Sequence, residues 1–171
     1  MYNKELFQMK KLLCAALVVA IAATNCFGAG DGISRNNPGN IVKTGVLWEG
    51  QVKGKGRFAH FKDAHFGLRA LGIVLIRYQQ YHNIKTVEKL VARFAPAHEN
   101  DVSSYENFVA RHLGLYTKSP LWITHNLPDI MEAIIHFENG RQPYSREDIV
   151  RASEAALDYC GIKGYWRVAL N

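Results

Sequence analysis

Glu138 stands where a carboxylate is costly to keep ionised. Ile130, Ile134 and Glu138 recur at i, i+4 and i+8, so the spacing predicts an amphipathic helix whose apolar stripe ends in an acid. Asn139-Gly140 follows as a left-handed stop. The apolar face desolvates the carboxylate, and the negative end of the helix dipole repels it. Both effects favour the protonated form near neutral pH, which a general acid for glycosidic-bond cleavage requires. The plainer alternative is a Glu beside a helix cap that reaches into water.

The elements that must position this acid begin after an export signal. Lys10-Lys11 precede the apolar run Leu12–Ala23, and small and polar residues follow up to Gly28-Ala29-Gly30. This pattern predicts a secretory signal peptide over residues 1–29, with Met9 as a second candidate start. The apolar run is short for a membrane span. The mature chain, 30–171, is then about 142 residues, enough for one hydrophobic core and one domain. The expected location is the periplasm or the exterior, with no stable membrane insertion after processing. Residues 1–29 carry three lysines and one glutamate, so their removal lowers the formal charge from +6 to +4. That mild, scattered basicity suits an anionic partner such as a cell wall and does not argue for nucleic acid.

Of the cysteines, Cys160 lies at a helix end before Gly161 and reads as a buried structural thiol. It sits at the wrong pole of its helix for a papain-like nucleophile. The seven histidines show no metal-ligand spacing, and no phosphate loop or Gly-x-Ser-x-Gly elbow is present, so neither metal nor cofactor is expected.

Residues 30–63 are rich in Gly, Asn and aromatics and read as turns and short strands. Leu47–Gly50 and Arg57–Phe61 form the expected arms of a hairpin around Gly54-Lys55-Gly56. From Ala64 the pattern turns helical: a long helix to His82-Asn83, a short one capped by Thr86, and one from Asp101 or Ser103 to Leu113. Two more follow, the Glu138 helix opened by Asn126 and Pro128 and one capped by Ser145 with Asp148 at the capping-box distance. The tail Lys163–Leu170 reads as a short extended piece. The fold class is α+β, mostly helical, with a small hairpin lobe near the mature N-terminus.

In the compact turn Arg35–Ile41, Pro38 fixes φ and Gly39 relaxes it. The amides of Asn36, Asn37 and Asn40 can serve either backbone or sugar. Trp48, Tyr105 and Tyr144 are either sugar-stacking walls or core and rim aromatics.

Five blocks together carry a resemblance. They are Asn36–Ile41, Trp48-x-Gly50, Gly67–Ala70, Pro96-x-x-Glu99-Asn100 with Tyr105, and Glu138-Asn139-Gly140 with Pro143-Tyr144. The combination resembles a family of small bacteriophage and prophage proteins that are often labelled virion structural proteins and suspected of degrading peptidoglycan. More distantly, Ala133-Ile-Ile-x-x-Glu138-x-Gly140-x-x-Pro143-x-Ser145 is similar to the catalytic helix end of lytic transglycosylases in the lysozyme-like superfamily. The Asn37–Ile41, Trp48–Gly50 and Phe58–Phe61 block is similar to the hairpin lobe of flagellar-type glucosaminidases. In those groups the catalytic helix precedes the hairpin; here it follows, so the resemblance implies a circular permutation.

The resemblance implies a lysozyme-like monomer that cleaves peptidoglycan glycan strands between N-acetylmuramic acid and N-acetylglucosamine. Glu138 would be the acid, and Asn37, Asn40, Trp48, Glu99, Asn100, Tyr105 and Tyr144 would line the substrate site. A hydrolytic variant would want a second carboxylate, for which Glu49 and Glu99 are the candidates. The rival expectations are a non-catalytic wall-binding or virion-structural protein, and a peptidoglycan peptidase built on other residues.

Overall fold

The computed structural model describes residues 31–45, 47–95 and 102–163. Six helices and one two-stranded antiparallel sheet occur among them. In chain order they are α1 (Asp31–Ser34), β1 (Gln51–Val52), β2 (His60–Phe61), α2 (Ala64–His82), α3 (Val87–Phe94), α4 (Val102–His112), α5 (Leu127–Asn139) and α6 (Arg146–Tyr159). The expected signal peptide, Glu99-Asn100 and the tail from 164 onward lie outside the described residues. No described helix is long and apolar enough to cross a membrane.

Helix α2 is the hub. Leu68, Leu71, Ile73, Val74, Leu75 and Ile76 are all buried, so apolar contacts surround it on several faces, as in a core helix. Its most extensive partner is α6, which buries Ile149, Ala152, Ala156 and Leu157. Helix α5 packs on α2, α4 and α6 and buries Ile130, Met131, Ala133, Ile134 and Ile135. Each fully buried Ile, Leu, Val or Met side chain among these contributes roughly 1.5–3 kcal/mol.

Local chemistry sets the helix ends. Thr86 accepts a hydrogen bond from the Lys89 N–H, and Ser145 accepts one from the Asp148 N–H. Asn83 (φ 51°) and Gly140 (φ 66°) take the left-handed conformation that stops α2 and α5. At α5 the expected cap differs: the Asn126 side chain makes no cap bond and donates backward to the Trp122 carbonyl. Pro128 instead occupies the first turn, where a missing N–H costs nothing.

The first arm of the hairpin lobe departs from its expected bounds. Gln51 pairs with Phe61 and Val52 with His60, so the first arm begins after Trp48–Gly50. Those residues form the turn before it, closed by the Gln51 N–H on the Trp48 carbonyl, with Gly50 at φ 71°. Val42 bridges Phe58, which adds a third segment to the lobe. The expectation of turns and strands from Gly30 also missed α1, a single helical turn in Gly- and Asn-rich sequence. Cys160 is only partly buried, against the core.

Candidate functional site

Glu138 occupies the last turn of α5, half-buried, one residue before the buried Asn139. Two segments distant in sequence converge on its carboxylate. Tyr105, from α4, donates its hydroxyl to Oε1 at 3.1 Å. Asn40, from the Arg35–Ile41 turn, donates Nδ2 to Oε2 at 3.3 Å. Arg35 Nη2 donates to Asn40 Oδ1 at 3.1 Å. A guanidinium can only donate, so this contact fixes which end of the Asn40 amide faces Glu138. The Arg35 guanidinium also lies over the Phe58 ring, 4.8 Å from its centroid, and Arg57 lies over the same ring at 4.7 Å.

The turn that presents Asn40 is held from below. Asn37 is fully buried. Its Oδ1 accepts from the Ile41 N–H, and its Nδ2 donates to the Ile41 and Ala59 carbonyls, all at 2.9 Å. Both amide hydrogens are spent on backbone, so Asn37 is not a substrate contact; it builds the turn and ties it to the β2 arm. Asn139 is the second tether. Its Nδ2 donates to the Pro38 carbonyl and to Ile135 one helical turn back, each at 2.9 Å. A Cβ on Gly32 would lie 2.9 Å from Asn139 Oδ1, Asn40 Oδ1 and the Asn37 carbonyl, so α1 seals this junction with backbone alone. Gly67 plays the same part on α2, where a Cβ would collide with the Asn36 carbonyl.

Tyr105 is not an open stacking wall either. It is 3 % exposed, and its ring stacks on Phe137 with centroids 3.8 Å apart. Phe108 packs against Phe137 in turn, at 5.5 Å. The ring is therefore spent on the interior, and the hydroxyl is what reaches the acid.

Trp48 and Tyr144 are partly buried against the core, and no hydrogen bond or ring contact joins either to Glu138 among the described residues. Trp48 Nε1 and the Tyr144 hydroxyl are both buried without a hydrogen-bond partner there. Burial pushes the Tyr144 phenol above its ordinary value, opposed by Arg141. Glu49, the candidate second carboxylate, is exposed and paired with Arg69 at 2.9 Å. Among the described residues no cluster of three or more His, Cys, Asp or Glu could hold a metal ion.

The arrangement thus joins Glu138, Asn40 and Tyr105 and turns Asn37 into a support. Arg35, Phe137 and Asn139 were not singled out as site residues from sequence. A signal existed for Asn139: Met131, Ile135 and Asn139 recur at i, i+4 and i+8, a second stripe ending in a polar residue. Chemically, the cradle offers a carboxyl group that accepts from the Asn40 amide and the Tyr105 hydroxyl. A hydroxyl can donate or accept, so Tyr105 can serve Glu138 in either protonation state, whereas the amide fixed by Arg35 can only donate.

No family model matches the chain. Over 145 residues it is 34 % identical to a protein named Protein P5 of Pseudoalteromonas phage PM2, an alignment that covers 82 % of this chain and 90 % of the phage protein. The alignment thus extends over most of both proteins, and the chain belongs to the phage-related family of Protein P5 of phage PM2.

Proposed function

We propose that this protein is a lysozyme-like enzyme that cleaves peptidoglycan glycan strands in the periplasm, as a lytic transglycosylase with Glu138 as its acid and base. The observation that supports this reading is the convergence of Asn40 and Tyr105 on one half-buried carboxylate at a helix end. A group that must give up a proton and take one back benefits from being held in one rotamer, as Asn40 and Tyr105 hold this one.

In this reading the Asn40 amide holds Oε2 as an acceptor, and the transferable proton resides on Oε1 beside the Tyr105 hydroxyl. Glu138 gives that proton to the oxygen linking N-acetylmuramic acid to N-acetylglucosamine as the bond from C1 to that oxygen breaks. The resulting carboxylate then takes the proton of the muramoyl 6-hydroxyl, whose oxygen bonds to C1 and closes a 1,6-anhydro ring. The proton count balances, Glu138 is regenerated, and no water or second carboxylate is consumed. The engagement of Glu49 with Arg69 fits a one-carboxylate mechanism better than a hydrolytic one. The expected leader at 1–29 supports export to the compartment where the substrate lies.

Release of soluble fragments from dye-labelled sacculi tests the proposal, with the native protein compared with Glu138→Gln. Release by the native protein and its loss in the variant are the expected results. Release by neither, with both sedimenting on the sacculi, would favour the wall-binding alternative.

A further inference from the structure

The charge of this protein is not spread evenly. Residues 63–171 hold twelve Lys and Arg against twelve Asp and Glu, so the helical body is neutral. Residues 30–62 hold six cations, Arg35, Lys43, Lys53, Lys55, Arg57 and Lys62, against Asp31 and Glu49. The whole net charge of +4 beyond residue 29 therefore falls on the hairpin lobe and the turn before it, which corrects the impression of scattered basicity.

The same lobe exposes apolar side chains at its tip. Leu47 is 80 % exposed and Val52 43 %. The turn closed by the Trp48 carbonyl and the Gln51 N–H folds the chain back between them, so the two flank one turn. Next to Val52, the loop Lys53–Gly56 is braced from inside by Lys43, whose Nζ donates to the Gly54 and Gly56 carbonyls. This bracing leaves Lys53 and Lys55 exposed, with no partner among the described residues. Two exposed aliphatic side chains and two exposed ammonium groups within residues 47–55 match the outer layer of an anionic bilayer. The ammoniums meet the headgroup phosphates, and the aliphatic groups enter the acyl boundary. A soluble polyanion would satisfy the lysines and leave Leu47 and Val52 in water.

We infer that the tip formed by Leu47, Val52, Lys53 and Lys55 is a docking site for an anionic phospholipid surface. Docking through this tip is peripheral and reversible, because the inserted area is small. The inference does not depend on glycan cleavage.

Co-sedimentation of the full-length protein with vesicles tests it, using phosphatidylglycerol–phosphatidylcholine mixtures against phosphatidylcholine alone. The apolar run at 12–23 is common to every variant, so the comparison among variants isolates the lobe. The native protein should prefer the anionic vesicles and lose that preference in high salt. Each lysine removed should weaken partition roughly fivefold, so Lys53→Glu/Lys55→Glu should fall about 25-fold or more. Leu47→Asp should also fall, while Lys89→Glu/Lys118→Glu, the same change of charge on the helical body, should stay near the native value. Equal losses in the two double variants would overturn the inference. So would a native protein with no preference for anionic lipid, or one that binds duplex DNA or sacculi through Lys53 and Lys55 but not vesicles.

Discussion

Replacing Asn37 should cost more stability than any exposed polar change, although sequence alone offers it as a ligand-binding residue. Asn37→Ala leaves the buried Ile41 N–H without its acceptor and removes the amide donor from the Ala59 and Ile41 carbonyls. The Ile41 carbonyl keeps the Ala59 N–H at 2.8 Å, so the main losses are two stranded backbone groups. At roughly 1–3 kcal/mol for each buried group left unpaired, with a small cavity in addition, the expected loss is about 3–5 kcal/mol. Asn37→Asp separates the electrostatic part, because the volume is unchanged. A carboxylate oxygen would then face two carbonyl oxygens, and the loss at neutral pH should be at least as large. Urea denaturation provides the assay; the midpoint should fall with little change in slope. A loss below about 1 kcal/mol for Asn37→Ala, or native stability for Asn37→Asp, would refute the claim that this amide builds the turn.

Further predictions follow from the same geometry. Gly67→Ala should destabilise by about 3 kcal/mol or more despite its better helix propensity, because its Cβ meets the Asn36 backbone; thermal unfolding reads this directly. Asn40→Ala and Tyr105→Phe should each lower turnover on sacculi by about 10- to 100-fold, with altered pH profiles and a smaller effect on KM. Burial pushes the Tyr78 phenol from 10.0 up to about 12. The stability held by its neutral form is complete below pH 10 and is lost as pH rises toward 12, by up to about 3 kcal/mol. Tyr78→Phe should remove that segment of the alkaline unfolding curve. The Asp148 carboxyl is held below its ordinary value by the Ser145 hydroxyl, so its contribution is present above the usual carboxylate range and lost as pH falls through the lowered value. Ser145→Ala should reduce that acid dependence, leaving the part due to Arg151, and cost about 1 kcal/mol as a lost cap.

The helices were legible because their ends announce themselves locally. Thr86, Ser145, Asn83 and Gly140 act within one turn of their own position, and each does what its residue type predicts. The Glu138 stripe was legible for the same reason, since i, i+4 spacing needs no knowledge of partners. What depended on tertiary contact was not. An Asn in a tight turn can bond sugar or backbone, and only the arrival of the β2 arm beside Ile41 commits Asn37 to backbone. An aromatic on an amphipathic helix can stack a ligand or a neighbour, and only Phe137 beneath it commits Tyr105 to the interior. The first hairpin arm begins later than expected because Gly50 and the Trp48–Gln51 turn form locally and take up Trp48–Gly50.

The central claim is that Glu138 moves the proton in glycan cleavage from a cradle built by Asn40 and Tyr105. Mass spectrometry of the soluble products from purified sacculi, digested by the native protein and by Glu138→Gln, tests it most directly. Muropeptides ending in 1,6-anhydromuramic acid should appear with the native protein and be absent with the variant. The same anhydro products from Glu138→Gln, or reducing-end products from the native protein, would contradict the account.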